Sequence, residues 1–142
     1  MTVATHALAP LQDRSIMVVE DEFFQAKDLT QAFSAAGARL VGPFPSLSAA
    51  VDALEDAPPI DAAVLDINLR GRSVYELADL LAGRGIPFLF ATGYDPEMVP
   101  ERHGNRPICT KPFRIENLLV AVADLCAGPS AEGHQQRVRE PS

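Results

Sequence analysis

Four short, largely apolar runs, each leading directly into polar residues, constrain the fold of this chain more than any other feature of its sequence. They occupy residues 16–19, 62–65, 88–91 and 108–110. Short apolar runs are typical of strands in a parallel sheet that helices cover on both faces. Ligands of such sheets bind beyond the carboxyl ends of the strands. The sequence therefore predicts that the residues following the four runs meet at one edge of a sheet.

The residues at the ends of these runs have the chemistry of a metal and phosphate site. The first run leads to Glu20 and Asp21, the second to Asp66, the third to Thr92 and the fourth to Lys111. Clustered carboxylates repel one another unless a cation lies among them, and hard oxygen ligands suit Mg²⁺. We predict a magnesium site at this edge, with Asp66, alone at the end of the central run, as the candidate nucleophile.

Helical patterns separate the apolar runs. Apolar residues recur at i, i+3 and i+4 spacing over residues 26–36, 47–54, 74–81 and 115–126, with Ser46 and Ser73 as candidate N-caps and Gly37 as a C-terminal stop. A weaker strand at residues 39–41 raises the number of strands to five. Strands and helices in alternation predict right-handed βαβ units, and hence a doubly wound five-stranded parallel sheet of the α/β class.

The stretch between the third and fourth runs departs from this pattern. Residues 93–107 contain Pro96, Pro100, Gly104 and Pro107 and have almost no apolar periodicity. Proline removes a helical hydrogen bond and clashes with the preceding turn. The sequence therefore predicts a short or irregular fourth helix.

Length and charge limit the remaining possibilities. The chain has 142 residues, which predicts one domain at residues 14–127, an N-terminal tail at 1–13 and a disordered C-terminal tail at 128–142. A formal net charge of −7 argues against binding to nucleic acid or to an anionic membrane. No apolar run approaches the roughly 20 residues that span a bilayer, and no signal peptide is evident, so we expect a cytoplasmic protein.

Each polar feature also has an ordinary explanation. An acidic cluster such as Glu20 and Asp21 favours a helix start, and an aspartate such as Asp66 is often a cap. Thr92 could be a turn hydroxyl and Lys111 a solvated loop residue. Four such features in this order, each at the end of an apolar run, favour a common site instead. The three histidines, His6, His103 and His134, have no ligand spacing and are expected at the surface.

The joint pattern of these motifs resembles a response-regulator receiver domain of two-component signalling. The motifs are Val-Val before Glu20, Asp21 and Glu22, Leu before Asp66, Ala before Thr92 and Gly93, and Lys111 before Pro112 and Phe113. The resemblance covers roughly residues 14–127 and implies a flavodoxin-like fold. It also implies that Asp66 accepts a phosphoryl group from the phosphohistidine of a sensor histidine kinase or phosphotransfer protein.

The same resemblance implies a role for each site residue. Glu20, Asp21, Asp66 and the backbone carbonyl of Asn68 hold Mg²⁺, while Thr92 and Lys111 contact the acyl phosphate. Such a protein catalyses only its own phosphorylation and slow dephosphorylation, so it is not expected to be an enzyme acting on other substrates.

Three segments resemble more closely the FATGUY subgroup of single-domain receivers. They are residues 87–94, with the sequence Pro-Phe-Leu-Phe-Ala-Thr-Gly-Tyr, and residues 66–71 and 73–75. The resemblance implies partnership with an HWE-type sensor kinase. It also implies a phosphorelay role in which phosphate is relayed or drained through protein contacts without an output domain.

The chain departs from the family pattern at two places. Ile108 stands three positions before the lysine, where receivers commonly have an aromatic switch residue. The span from Thr92 to Lys111 is also about one helical turn shorter than usual in the family. We hypothesise that Tyr94, two residues after Thr92, supplies the missing aromatic signal, although a packed or half-exposed loop tyrosine is the ordinary interpretation.

Two other functions use similar residues. An aspartate-nucleophile phosphatase of the haloacid dehalogenase type resembles this site but needs a second aspartate two positions after the nucleophile as general acid and base. Asn68 stands there and cannot transfer the proton. The second alternative is a pseudo-receiver, a binding module that has the fold but is not phosphorylated.

Overall fold

The core of the protein is a five-stranded, all-parallel sheet. A computed structural model describes residues 5–56, 59–69, 72–93 and 99–128. The strands of the sheet are β1 (Ser15–Val19), β2 (Arg39–Phe44), β3 (Ala62–Leu65), β6 (Phe88–Thr92) and β7 (Ile108–Thr110), in the spatial order β2-β1-β3-β6-β7. A small antiparallel hairpin joins β4 (Asn68–Leu69) to β5 (Arg72–Ser73). The helices are α1 (Phe23–Ala35), α2 (Leu47–Asp56), α3 (Tyr75–Gly83) and α4 (Ile115–Ala127). The predicted doubly wound α/β fold is confirmed.

The sheet separates two apolar cores. Successive side chains of a strand point to opposite faces, so β1 contributes Ile16 and Val18 to one core and Met17 and Val19 to the other. The first core includes Leu29 and Phe33 of α1 together with α4, and the second includes residues of α2 and α3. Both faces of the central strands are therefore covered, which explains why residues 16–19, 62–65 and 88–91 of these strands are all apolar.

Two of the three predicted helix-end signals are present in the structure. Gly37 follows α1 with φ of +89°, and the N–H of Ala38 donates to the carbonyl of Phe33, which closes the helix as predicted. Ser46 Oγ accepts from the N–H of Ala49 at 3.2 Å, so the predicted cap of α2 is also present. The prediction that Ser73 caps α3 is wrong, because Ser73 lies in β5 and Val74 occupies the N-cap position.

Strand β2 is longer than the predicted stretch at 39–41 and contains a glycine that its geometry requires. Gly42 has φ of +109°, and a Cβ at this position would lie 2.7 Å from the carbonyl oxygen of Val18. Its backbone therefore approaches β1 too closely for any side chain. The register between β1 and β2 shifts at this point.

The connection between β6 and β7 agrees with the predicted short or irregular fourth helix. Among its described residues, the only helical turn is a 3-10 turn at Glu101–His103. The expectation that His103 lies at the surface is wrong, because its side chain is buried. Residues 94–98, which include Tyr94, lie outside the described part of the chain.

The segment before β1 differs from the tail expected there. A 3-10 helix at Thr5–Leu11 packs against α4, and Leu11 is fully buried in the core next to it. Burial of Leu11 therefore accounts for the packing of a segment in which the sequence shows no helical periodicity. Apart from Gly128, which follows α4, the C-terminal tail expected at residues 128–142 lies outside the described residues. Among the described helices, none combines the length and apolarity needed to cross a bilayer.

Candidate functional site

The ends of β1 and β3 hold the acidic residues next to each other. The N–H of Asp66 donates to the carbonyl of Val19 at 2.9 Å, and the N–H of Glu20 donates to that of Phe44 at 3.0 Å. These bonds continue the sheet by one residue beyond the strands. They fix the backbone from which both carboxylates project.

Three carboxylates form one cluster at this edge. Oxygen atoms of Glu20, Asp21 and Asp66 all lie within 4.8 Å of one another. Glu20 is 3% exposed and Asp66 is 8% exposed, whereas Asp21 is half-buried. Water therefore reaches the cluster mainly from the side of Asp21.

Lys111, the residue directly after β7, joins the cluster. Its Nζ lies 3.1 and 3.3 Å from the two carboxylate oxygens of Glu20 and 3.3 Å from Asp66 Oδ2. The backbone N–H of Lys111 donates to the carbonyl of Thr92 at 2.8 Å, so the end of β6 positions the start of the loop that follows β7. The peptide bond between Lys111 and Pro112 is cis.

Burial and neighbouring charges shift the protonation of this cluster. Burial, followed by the negative charge of Asp66, raises the pKa of Glu20 to about 7, although Lys111 and the N–H of Glu22 oppose the shift. Burial would lower the pKa of Lys111, but its hydrogen bond to Glu20 and the charges of Asp66 and Glu20 outweigh this effect, and its pKa is raised. The lysine is therefore a stable cation beside carboxylates that repel one another.

The chemistry of the cluster fits a hard divalent cation. Oxygen atoms from three side chains converge within a few ångströms, and Mg²⁺ prefers carboxylate oxygens together with water and phosphate. After burial, the negative charge of Asp66 is the second cause of the raised pKa of Glu20, and a bound cation would offset that charge. Glu20, Asp21 and Asp66 are thus the described residues that could hold the metal.

The other predicted site residues stand as follows. Thr92 ends β6 at the same edge and is 1% exposed. Asn68 lies in β4, two residues after Asp66, and the use of its carbonyl as a metal ligand stays a prediction. Ile108 begins β7 and packs against the core that contains α3. Tyr94 falls outside the described residues, so its switch role also stays a prediction.

The sequence did not reveal a cluster of rings around the buried His103. The ring of His103 stacks on Tyr75 with centroids 6.3 Å apart and meets Phe88 and Phe90 edge-on at 5.6 and 6.2 Å. His103 Nε2 lies 2.8 Å from Asp79 Oδ1, and because a carboxylate only accepts, the nitrogen donates. The His103 ring therefore ties the β6–β7 connection to α3.

A second missed feature is an exposed aromatic pair next to the acidic cluster. Phe23 and Phe24 open α1 directly after Glu22 and are 69% and 68% exposed. Their rings contact each other edge-on with centroids 5.2 Å apart. The Glu22 carboxylate caps the helix by accepting from the N–H of Gln25 at 2.6 Å. The helical spacing of apolar residues continues into this first turn, so the spacing alone does not show whether Phe23 and Phe24 are exposed or buried.

Comparison with solved structures identifies the family. SdrG from Sphingomonas melonis Fr1 is 38% identical to this chain with a TM-score of 0.69, and the match covers 80% of this chain and 96% of SdrG. The fold and the arrangement of acidic residues and lysine define a receiver domain, and the chain belongs to the response-regulator receiver domains.

Two further structures share the fold. The response regulator receiver protein from Sinorhizobium medicae WSM419 is 22% identical with a TM-score of 0.71, and the match covers 83% of this chain and 98% of that protein. The non-phosphorylated HemR receiver domain from Leptospira biflexa is 21% identical with a TM-score of 0.68, with 81% and 95% covered. No family model matches the chain, and no curated protein does so.

Proposed function

We propose that this protein is a single-domain response regulator that accepts a phosphoryl group on Asp66 from the phosphohistidine of a sensor kinase or phosphotransfer protein, in a Mg²⁺-dependent reaction. The observation that carries the proposal is the contact of Lys111 Nζ with Asp66 Oδ2 at 3.3 Å inside the three-carboxylate cluster. A nucleophile, a cation and metal ligands are thus within reach of one phosphoryl group.

The residues of the chain account for each part of the transfer. An oxygen of Asp66 attacks phosphorus in line as the P–N bond breaks, and the imidazole of the donor takes up the bonding electrons and a proton. Phosphoryl transfer mainly requires positioning and neutralisation of the equatorial oxygens. Lys111 provides one positive charge and the Thr92 hydroxyl provides a hydrogen bond. A bound Mg²⁺, held by Glu20, Asp21 and Asp66, would supply further positive charge to the phosphoryl oxygens.

A similar solved structure supports the proposal. A structure of the BeF₃-activated conformation of SdrG matches this chain at 38% identity, with a TM-score of 0.66 and 95% of SdrG covered. SdrG has an activated conformation with BeF₃, an analogue of a phosphoryl group, and this supports a similar response of the present protein to phosphorylation of Asp66. The match to another structure of SdrG covers 96% of that chain, which supports the single-domain assignment.

Small-molecule phosphorylation tests the proposal directly. Incubation with acetyl phosphate and Mg²⁺ followed by intact mass spectrometry should give one phosphate adduct. The adduct should disappear in Asp66→Ala and persist in the control Asp28→Ala, which removes an exposed aspartate on α1. No adduct in the unaltered protein would identify a pseudo-receiver binding module. Sustained phosphate release from simple monoesters would instead indicate a phosphatase, despite Asn68 at the position of the general acid.

The proposed donor is an HWE-type kinase, and the proposed place of action is the cytoplasm. The FATGUY-like segment at residues 87–94 supports this choice of kinase. Phosphorylated kinases of the HWE type and of other types should be compared for the initial rate of transfer. Faster transfer from a kinase of another type would contradict the assignment, while the acetyl phosphate result would still report on Asp66.

We also propose that Tyr94 takes the role of the aromatic switch residue that receivers commonly have at the position of Ile108. The support is Ile108, which places an aliphatic residue where many receivers have the aromatic switch. Phosphorylation-linked chemical shift changes should therefore decrease in Tyr94→Ala, with Tyr75→Phe as a matched control. Unchanged shifts and unchanged kinase pairing in Tyr94→Ala would contradict this role.

A further inference from the structure

The ammonium group of Lys111 lies among the same carboxylates that the proposed function assigns to a divalent cation. Its Nζ contacts both oxygens of Glu20, at 3.1 and 3.3 Å, and Asp66 Oδ2 at 3.3 Å. Glu20 and Asp66 are two of the three residues whose oxygens converge within 4.8 Å. One internal cation therefore already contacts two of the three carboxylates.

Both oxygens of Glu20 already accept hydrogen bonds. Oε1 accepts from Lys111, and Oε2 accepts from Lys111 and, at 3.1 Å, from the backbone N–H of Glu22. A divalent cation bound to either oxygen would lie beside the ammonium. Like charges repel strongly where little water screens them, and Glu20 and Asp66 are almost fully buried. The lysine and a metal cannot both be close neighbours of Glu20 without a large electrostatic cost.

We infer that Lys111 and Mg²⁺ compete for Glu20, so that the lysine lowers the affinity of the site for metal until it leaves that carboxylate. The inference rests on the proposed function for the identity of the site and deepens it by assigning Lys111 a second, positioning role. The remaining contact of the ammonium is Asp66 Oδ2. Among the contacts of the described residues, a lysine that has left Glu20 keeps the one to the phosphoacceptor, so metal loading directs the lysine toward the phosphoryl group.

Titration of the unphosphorylated full chain with Mg²⁺ tests the competition. Lys111→Met keeps the length of the side chain and removes its charge, and it should bind Mg²⁺ about tenfold more tightly, measured by calorimetry or by backbone NMR shifts at fixed ionic strength. Lys27, an exposed residue of α1, is the other lysine of the chain and provides the matched control. Lys27→Met removes the same charge and should change the affinity less than about twofold, because a solvated charge beyond direct contact is screened.

Glu20→Asp provides a second variant that keeps every charge. Its shorter side chain moves the carboxylate away from Nζ by about one carbon–carbon bond length of roughly 1.5 Å. The gain in affinity from Lys111→Met should therefore be smaller in the Glu20→Asp background than in the unaltered protein. An equal gain in both backgrounds would show that the lysine acts through its general charge and would overturn the inference.

A direct measurement covers the case in which Lys111→Met does not fold. The side-chain ammonium signals of the two lysines can be assigned with Lys27→Met. During a Mg²⁺ titration the Lys111 signal should shift with the same midpoint as the backbone amides of the site. A Lys111 signal that stays constant as the site fills overturns the competition, as does unchanged or weaker Mg²⁺ binding by a folded Lys111→Met. No Mg²⁺ binding by either protein would overturn it as well. Since these measurements involve no phosphoryl transfer, they succeed or fail independently of the acetyl phosphate experiment.

Discussion

At the scale of single residues, the site depends on charges that are costly to bury together. The backbones of Glu20, Asp66 and Lys111 are each held at the end of a strand, so their charged side chains start from fixed neighbouring positions. The order of polar residues along the sequence was enough to predict their convergence, because parallel strands bring their carboxyl ends to one edge. The pairing of Lys111 with Glu20 could not be predicted, since it depends on the reach of two long side chains.

The raised pKa of Glu20 predicts an unusual pH dependence of stability without metal. Burial and the charge of Asp66 raise the pKa from 4.5 to about 7 in the folded protein. Between these values the folded state binds a proton that the unfolded state releases, so the free energy of unfolding falls as pH rises. At 1.36 kcal/mol per pKa unit, the loss between about pH 5 and pH 8 reaches up to about 3 kcal/mol.

Urea unfolding in the presence of a chelator measures this dependence. Glu20→Gln should remove most of the decline between about pH 5 and pH 8, because the amide does not titrate in this range. An equal decline in the unaltered protein and in Glu20→Gln would contradict the assignment to Glu20.

At the scale of elements, the sequence predicted the strands and helices but missed features that depend on distant partners. Residues 88–91 were predicted as a buried strand from their composition alone. His103 was expected at the surface, because the residues that bury it come from α3 and β6 and are not visible from its own neighbourhood. The β4–β5 hairpin has strands of only two residues each, which is too short for any period to show.

Two of the three phenylalanines of helix α1 have opposite surroundings, which gives a matched pair of substitutions. Phe33 is fully buried between α1 and the sheet, whereas Phe24 is 68% exposed. Phe33→Ala should lower the free energy of unfolding by about 3–5 kcal/mol, since it leaves a cavity in the core. Phe24→Ala should change it by less than about 0.5 kcal/mol. Chemical denaturation distinguishes the two, and a loss in Phe24→Ala as large as in Phe33→Ala would contradict the description of α1.

The carboxylate of Asp79 anchors the 3-10 turn at Glu101–His103 to α3. Its oxygens accept from Arg102 Nε at 2.8 Å, from Arg102 Nη2 at 3.1 Å and from His103 Nε2 at 2.8 Å. The hydrogen bonds from Arg102 and then from His103 lower the pKa of Asp79.

Removing this anchor should free the turn while leaving the sheet intact. In Asp79→Ala, we expect faster amide hydrogen exchange at residues 101–106 and little change in β1 or β3, because local opening then costs less free energy. Glu76→Ala, an exposed substitution on the same helix, is the control. Equal exchange rates at residues 101–106 in the two variants would contradict the anchoring role.

At the scale of the whole molecule, metal binding and folding are coupled through the acidic cluster. A ligand that binds only the folded state stabilises it by RT ln(1 + [L]/Kd), which is about 1.4 kcal/mol at ten times Kd. For a domain of this size, that corresponds to a rise in Tm of roughly 5 °C.

Thermal unfolding with Mg²⁺ or with a chelator measures this coupling. The rise in Tm should shrink strongly in Asp21→Asn, which removes one charged ligand of the cluster, and should persist in the exposed control Asp28→Asn. A rise of the same size in Asp21→Asn would show that Mg²⁺ acts elsewhere on the protein.

The division of the interior into two cores has a consequence for how such a protein can change. Helices α1 and α4 pack on one side of the sheet, and α2 and α3 pack on the other. Because the fully buried strands insulate one layer from the other, a change of side-chain volume in one layer needs no compensation in the opposite layer. The sequences of the two helix pairs can therefore change independently in evolution, while the strand end that holds Asp66 stays in position.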